Sequence, residues 1–431
     1  MKKSRVMMIA GALILLAFAV NGAPPKVPPP RDEATLKRMM RISWDQQVLP
    51  AGASAATLQR LLARGEVVLM NDHPPGGIPW MVGGGMLINA PPELVFKVVT
   101  DVSKFSKIVP MTKSAVSKPV PGFPNLYEVT FDIELLFSWL SVEYSVYDYR
   151  RPPYRTDWCH CSGEFAVDSG YWQILPADGG KRSMAFYSVY ALPRQAAVQA
   201  LYRGQPALEL MTNVATATMI VQAIKAEAEK QNPKKLAPIR EAAGVEQILM
   251  EDSKTMRMLA EKGKVLVLEP GPTVYVISGT VVNAPMEAAY KVITDFTKYP
   301  QFLPGVEKVE IRGRGAKGPK VFQKVKIKLW EFTLDNSAEN EMELYPPDRV
   351  AWTIKRQNGG PVKGFWRFVP LDGNKKCLMF NGNTEDIRSL GIVPKTALRL
   401  VPTLEYGLLA AETTAALDAF KKRIEKLNKP N

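Results

Sequence analysis

The residues of this sequence with the most obvious chemistry are Cys159, His160 and Cys161, which follow one another directly. Thiolate and imidazole groups are ligands that zinc prefers, but a closed zinc site needs four of them. The chain has only one further cysteine, Cys377, and one further histidine, His73. On a strand, residues i and i+2 share a face, and a disulfide between them would be strained. We therefore expect neither a disulfide nor a metal site here, and no cofactor.

Acid–base catalysis has few candidates in the sequence. Catalysis of this kind at neutral pH usually employs histidine or a carboxylate with a shifted pKa. Asp101 and Asp295 each follow a predicted helix. Either could be a functional acid, but we expect each to cap the next short helix or to pair with a nearby lysine. No nucleophile elbow, phosphate loop or zinc-protease helix is present, which disfavours an enzyme without excluding one.

Asp101 and Asp295 belong to a stretch of sequence that occurs twice. Residues 88–105 begin Ile-Asn-Ala-Pro-Pro-Glu, and residues 282–299 begin Val-Asn-Ala-Pro-Met-Glu. The interval between the copies is 194 residues, whereas solenoid repeats have periods of roughly 20–50 residues. The repeat therefore indicates a duplicated domain.

Each copy predicts the same order of elements around this stretch. Residues 80–89 and 273–283 have strand composition. The prolines that follow each strand favour the start of a helix. Strict alternation of apolar and polar residues then predicts about six antiparallel strands with one buried face. A long helix ends each copy, at about 206–230 and 402–427, so the fold class is α+β, with a curved antiparallel sheet covered by helices.

The N-terminus predicts export. Lys2, Lys3 and Arg5 precede an apolar core, and Ala17-Phe18-Ala19 has the form of a cleavage site. The predicted domains are a signal peptide at 1–19, a proline-rich spacer and N-terminal helix at 20–53, a first domain at 54–230, a linker at 231–250 and a second domain at 251–431. The expected location is periplasmic or secreted.

The net charge bears on partners. It is +14 for the whole chain and falls to +11 when Lys2, Lys3 and Arg5 are removed with the signal peptide. Such an excess suits anionic surfaces. Because an exported protein does not meet nucleic acid, an anionic membrane surface is the expected charged partner.

The repeated motif resembles that of a known superfamily. In both copies Asn-Ala-Pro precedes the first helix, and an Asp-x-x-x-(Phe/Tyr)-x-x-x-x-Pro pattern follows it. This order resembles the START-like helix-grip (SRPBCC) superfamily, and within it the polyketide cyclase and coenzyme Q-binding type domains, over residues 80–230 and 270–427. Asp295, Tyr299, Phe302 and Pro304 carry the pattern in the second copy, while the first copy has Ile108 where an aromatic residue is usual.

The resemblance implies two helix-grip domains, each a curved antiparallel sheet wrapped around a long C-terminal helix with an apolar cavity between them. Members of the superfamily commonly bind or carry lipids, isoprenoid quinones, sterols or aromatic polyketides. It implies that this chain carries or senses a lipid, an isoprenoid or another apolar small molecule. The alternatives are a polyketide cyclase-type enzyme, and a membrane-associated interaction module without a ligand.

The candidate ligand-binding residues lie on the predicted strands, on the face that would turn toward the long helix. That face is both core and cavity wall, so ordinary core packing is the alternative for each of them. They are Phe131, Ile133, Trp158 and Trp172 in the first copy, and Ile327, Trp352, Trp366 and Phe368 in the second.

Matched strands of the two copies carry opposite charges on their predicted wet faces. The sets are Glu128, Thr130 and Asp132 in the first copy and Lys324, Lys326 and Lys328 in the second. The two faces could meet each other, the basic face could turn toward an anionic membrane, or both could simply be solvated.

Overall fold

The computed structural model describes residues 26–134, 141–271, 274–329, 332–354, 362–384 and 403–429. The predicted signal peptide at 1–19 lies outside these ranges.

The first copy follows the predicted order, preceded by a short helix. Its elements are α1 (Glu33–Met39), α2 (Ala55–Arg64), β1 (Glu66–Asn71), β2 (Met81–Ile88), α3 (Pro92–Thr100), a 3-10 turn (Val102–Lys104), α4 (Phe105–Ile108), β3 (Thr112–Pro119), β4 (Leu126–Glu134), β5 (Ser141–Arg151), β6 (Arg155–Gly163), β7 (Phe165–Ala177), β8 (Arg182–Pro193), α5 (Ala196–Gly204) and α6 (Pro206–Gln231).

The second copy repeats this order. Its elements are α7 (Val245–Glu251), α8 (Ser253–Ala260), β9 (Gly263–Glu269), β10 (Tyr275–Val282), α9 (Met286–Thr294), a 3-10 helix (Phe296–Gln301), β11 (Val306–Arg314), β12 (Pro319–Leu329), β13 (Phe332–Tyr345), β14 (Arg349–Ile354), β15 (Val362–Leu371), β16 (Lys376–Thr384) and α10 (Leu404–Leu427). The α+β class and the pair of helix-grip domains are confirmed. α7 occupies part of the predicted linker.

The two sheets join into one antiparallel sheet of sixteen strands, which the sequence did not predict. β1 and β9 pair directly, so the strand order runs from β11 at one edge to β3 at the other. In this pairing Val68 lies opposite Leu266, its own counterpart in the second copy. The two domains are therefore related by an approximate local twofold axis through the β1–β9 pair.

The two long helices cross on one face of this junction. A buried cluster joins the two helices to strands of both domains. It includes Leu210 and Val214 of α6 and Leu408 and Leu409 of α10. A Cβ atom on Gly407 would lie 2.3 Å from the carbonyl oxygen of Met211, so only glycine allows this approach. Among the described residues, α6 is the one helix whose length and composition would suit a bilayer, and here it packs against the sheet and α10.

The repeated asparagine fastens the end of each long helix. In the first copy the backbone N–H and the side-chain amide of Asn89 both donate to one oxygen of Glu229, at 2.9 and 3.0 Å. Asn283 donates in the same way to Glu425, at 2.9 and 3.1 Å. Hydrogen bonds to a charged acceptor are stronger than neutral ones. This shared clamp gives the repeated motif a structural role.

The N-terminal segment lies against the first sheet, on the face turned away from α6. The backbone N–H of Val27 donates to the carbonyl oxygen of Cys161 at 2.9 Å, and the Tyr147 hydroxyl donates to the carbonyl oxygen of Val27. Leu36 of α1, Met40 directly after it and the segment that follows cover further apolar side chains there. From Lys26 onward, this segment is therefore docked and is not a free spacer.

Replacement of Gly407 by alanine tests the helix crossing. Alanine favours helix by about 1 kcal/mol over glycine, but the new methyl group would meet the Met211 carbonyl. We expect net destabilisation of about 1–3 kcal/mol, the usual cost of overpacking, measured by urea unfolding. Gly204→Ala, where a Cβ would meet no atom within 4 Å, is the matched control and should not destabilise. Equal stability of Gly407→Ala and the wild type would contradict the crossing.

Candidate ligand-binding site

The predicted residues of the first copy gather between the sheet and α6. Trp158 and Trp172 are buried in one core with Val221 and Ile224 of α6, and Phe131 packs against the same core. Ile133, two residues along β4, shares the face of Phe131. Burial in this core is consistent with either of the two roles considered for these residues, which are ligand contact and ordinary core packing.

A glycine on the neighbouring strand lets Trp158, and its counterpart Trp352, lie against the sheet. Trp158 is paired with Gly170, and Trp352 of the second copy is paired with Gly364. A Cβ atom on Gly170 would lie 2.4 Å from the Trp158 ring, and one on Gly364 would lie 2.1 Å from the Trp352 ring. The indoles therefore occupy space that any other residue on the next strand would fill.

Aromatic rings form a wall in the first domain. The Trp158 and Tyr187 rings are stacked with centroids 5.2 Å apart, and those of Phe131 and Tyr144 are stacked at 5.3 Å. Trp158 is buried, whereas Phe131, Tyr144 and Tyr187 are only partly buried. Because these three rings pack against the core on the inner face of the sheet, they are the candidates for ligand contact in this domain.

A buried carboxyl group lies beside this wall. The indole N–H of Trp158 donates to Oδ1 of Asp168 at 2.9 Å. Burial raises the pKa of Asp168 to about 6, and the hydrogen bond from Trp158 opposes that rise only in part. Asp168 and the hydroxyl-bearing Tyr144 and Tyr187 make this interior partly polar.

The interior of the second domain is filled by Phe420 of α10. The Phe420 ring meets Trp366 at 4.9 Å, Tyr299 at 5.1 Å and Phe302 at 5.2 Å between centroids. Phe368 is fully buried in the same core. Of the predicted second-copy residues, Trp352 is partly buried against this core, and the side chain of Ile327 lies outside the described part of the structure.

The two long helices differ in the size of their inward residues. With α6 and α10 aligned on the glutamates that bind the repeated asparagines, Val221, Ile224 and Ala228 correspond to Leu417, Phe420 and Ile424. Each residue of the second copy is the larger one. Ile108 likewise stands where the second copy has Phe302. The long helix of the first domain thus presents smaller side chains to its core than that of the second.

Asp168, Tyr144 and Tyr187 were missed by sequence reasoning. The sequence feature that could have identified them is a difference between the two copies. Asp168 and Tyr187 correspond to Val362 and Asn381 in the second copy. An isolated acid on a predicted strand resembles any solvated residue until the pairing places it beside Trp158.

Comparison with known proteins identifies the family of this chain. The sequence profile of the family described as polyketide cyclase / dehydrase and lipid transport matches residues 88–219 and again residues 282–425, together more than half of the chain. The chain belongs to this family. A search of curated proteins finds no match.

Several solved structures are similar to this member of the polyketide cyclase and lipid transport family. The di-domain ARO/CYC BexL from the BE-7585A biosynthetic pathway is 10% identical, covers 81% of this chain and 99% of its own, and has a TM-score of 0.31. The putative protein DynU16 from the dynemicin biosynthetic locus is 11% identical, with coverages of 80% and 98% and a TM-score of 0.30. A STAR-related lipid transfer protein fragment from Xanthomonas axonopodis is 14% identical, with coverages of 38% and 92% and a TM-score of 0.28.

The aspartates of the family motif do not cap through their side chains. Asp101 precedes the 3-10 turn, but its carboxylate accepts from the Ser103 hydroxyl and pairs with Lys104 at 2.6 Å. Asp295 accepts from the Thr297 hydroxyl, at 3.4 Å. The capping prediction is wrong in this respect, because hydroxyl and ammonium donors replace the backbone N–H; the lysine pairing is confirmed for Asp101.

The oppositely charged faces of the two copies do not meet. β4 and β12 are each second from an edge of the sixteen-stranded sheet, at opposite ends, so that prediction is wrong. Glu128 instead pairs with Lys26, at 2.6 Å, and Glu307 lies 3.0 Å from Lys324 and 4.0 Å from Lys326. Lys328 has no described side chain. Contact of this face with an anionic membrane stays a prediction, and Glu307 offsets part of its charge.

The cysteines lie away from the core that contains the predicted ligand-binding residues. Cys159 and Cys161 share one face of β6, as predicted, but it is the face covered by α1. Burial raises the pKa of Cys159 to about 12, so the group stays a thiol at neutral pH and is a poor nucleophile. Among the described residues, no cluster of three or more histidine, cysteine or carboxylate side chains could hold a metal ion.

Asp168→Asn tests the environment of the buried carboxyl. The pKa of about 6 in the folded state exceeds that of an unfolded aspartate. Ionisation of Asp168 therefore lowers the unfolding free energy of the wild type as the pH rises from 4 to 6. Asparagine still accepts from Trp158 but does not ionise. Relative to this variant, the wild type should lose about 2–3 kcal/mol of unfolding free energy between pH 4 and pH 7. A pH-independent difference in urea unfolding would contradict the burial of the charge.

Proposed function

We propose that this protein binds and carries a lipid, an isoprenoid or another apolar small molecule in the interior of its first helix-grip domain. The observation that carries the proposal is the partly exposed aromatic wall of Phe131, Tyr144 and Tyr187, which stands between the sheet and α6. Apolar surface removed from water contributes about 25 cal/mol per Å². Aromatic rings add contact with defined geometry.

The second domain supports the first and does not bind. Phe420 occupies the place of Ile224, and three aromatic rings surround it. A ligand would have to displace this packed cluster, losing its contacts. The second domain has a structural role instead. Through the β1–β9 pair it covers the β1 edge of the first domain's sheet.

Native mass spectrometry of protein purified from its own host tests this proposal with two reciprocal variants. Ile224→Phe introduces into the first domain the ring that fills the second, and it should abolish a co-purified ligand. Phe420→Ile makes the opposite change in the second domain and should leave the retained ligand in place. The wild type should carry one apolar molecule per chain.

Thermal unfolding serves as the control for both variants, because an added ring can overpack a core by about 1–3 kcal/mol. A ligand that persists in a folded Ile224→Phe protein would contradict binding in the first domain. So would its loss in Phe420→Ile alone.

A cyclase-type reaction on an aromatic or polyketide substrate is the second candidate. Asp168 favours it, because a buried carboxyl group whose pKa is raised to about 6 can exchange a proton near neutral pH. The same mass spectra separate the two, since a carrier retains its ligand and an enzyme releases a changed product.

We further propose that the protein acts in the periplasm or outside the cell. Lys2, Lys3 and Arg5, followed by the apolar core and Ala17-Phe18-Ala19, support cleavage near residue 19. N-terminal sequencing of the protein from its host should begin just after that point. A mature chain that retains Met1, or a chain found in the cytoplasm, would contradict export.

A further inference from the structure

We infer that Glu66 is a proton-linked latch between α6 and the sheet. While the Glu66 carboxyl carries its proton, α6 stays packed on β1 and β2, and ionisation of the carboxyl loosens that packing. The latch does not depend on a ligand in the first domain. Glu66 also precedes residues 88–219, which the family profile matches, so it stands outside the matched part of the chain.

The Glu66 carboxyl is enclosed between the sheet and α6. Glu66 begins β1 and is only 3% exposed. A Cβ atom on Gly84 of β2 would lie 3.0 Å from Oε1 of Glu66 and 3.3 Å from Ala217 of α6. Within the described ranges, neither oxygen of Glu66 has a hydrogen-bond partner, and the Thr218 hydroxyl of α6 also lacks one. A buried carboxylate in such surroundings is strongly disfavoured relative to the carboxylic acid.

The second copy has an ion pair at the corresponding place. Lys264 is the counterpart of Glu66, because each stands between the glycine and the valine of the repeated segment, and both are equally buried. The Lys264 ammonium lies 3.2 Å from Asp418 of α10 and 2.6 Å from Asp72. With the long helices aligned as above, Asp418 corresponds to Gln222. The first copy therefore has a buried acid on its strand and a neutral amide on its helix.

The groups around Glu66 do not supply a compensating charge. On α6 it faces the Thr218 hydroxyl and the Gln222 amide, which are uncharged. The Tyr187 phenol of β8, opposite Gly84, also stays neutral, because burial raises its pKa. The charged groups on the neighbouring elements are bound to one another. They are Arg64 with Glu269, Lys225 with Glu229, and Lys264 with Asp72 and Asp418.

Ionisation of Glu66 sets the direction of the pH effect. Burial raises its pKa to about 8 in the folded chain, and Thr218 and Gln222 oppose the rise only in part. An exposed glutamate has a pKa of about 4.3. The packing of α6 is therefore favoured most at low pH, weakens as the pH rises, and changes no further above about pH 8. The acid form dominates at neutral pH, so the latch is closed there and opens under alkaline conditions.

Hydrogen–deuterium exchange of the full-length protein, followed by mass spectrometry at pH 6 and pH 9, tests the latch. Exchange rates are corrected for the intrinsic effect of pH on amide exchange. In the wild type, the protection of α6 should fall by roughly tenfold or more between the two pH values, whereas that of α10 should change little. Glu66→Gln nearly keeps the shape of the side chain but does not ionise, so its α6 should show no such fall.

Gln222→Lys places an ammonium group on α6 beside Glu66 and reverses the strand–helix pair of the second copy. Glu66 would then be ionised and paired at both pH values, so the fall in protection should shrink. Glu227→Gln is the matched control, because Glu227 also lies on α6 but pairs with Lys230 at 3.4 Å, and it should keep the wild-type fall.

Equal protection of α6 at the two pH values in the wild type overturns the latch. A fall of wild-type size in Glu66→Gln overturns it as well, because another group would then be responsible. If the added lysine in Gln222→Lys prevents folding, the comparison of Glu66→Gln with the wild type decides the inference alone.

Discussion

The pairing of β1 with β9 is the interaction on which the rest of the structure depends. It turns two sheets into one and sets each domain's first strand against its counterpart, with Val68 opposite Leu266. Once that register is fixed, the two long helices on the same face must cross near the local twofold axis. The helix backbones approach closely at that crossing, and Gly407 allows this because it has no Cβ atom. Within the described residues, β3 and β11 are the outermost strands of the sheet. Charged residues such as Lys113, Lys118, Lys308 and Arg312 lie along them, which discourages further pairing.

Duplication followed by divergence explains how one fold yields two different interiors. The clamps of Asn89 on Glu229 and of Asn283 on Glu425 have the same geometry, so the frame that holds each helix is shared. The side chains inside that frame are not. Phe420 meets three aromatic rings in the second core, whereas the first core has the smaller Ile224 in that place and includes the buried Asp168.

Much of the fold could be predicted because its signals are local and repeated. The Asn-Ala-Pro motif and the alternation on β4 and β12 each specify short-range geometry, and each occurs in both copies. The junction could not be predicted, because β1 and β9 have ordinary strand composition. Apolar strand residues such as Val67 and Val265 do not specify which strand will pair with theirs. Trp158 and Trp172 could be proposed as site residues because they repeat as Trp352 and Trp366. Asp168 could not be proposed, because its role depends on its contact with Trp158, which lies ten residues away in sequence and across the β6–β7 pair.

The central claim is that a ligand occupies the first domain and not the second. A crystal structure of protein purified from its own host tests this most directly, through difference density calculated without any ligand. The account predicts density for one molecule between the sheet and α6, against the rings of Phe131, Tyr144 and Tyr187, and none beside Phe420. Density only in the second domain, or two empty interiors in protein whose mass spectrum shows a bound ligand, would contradict it.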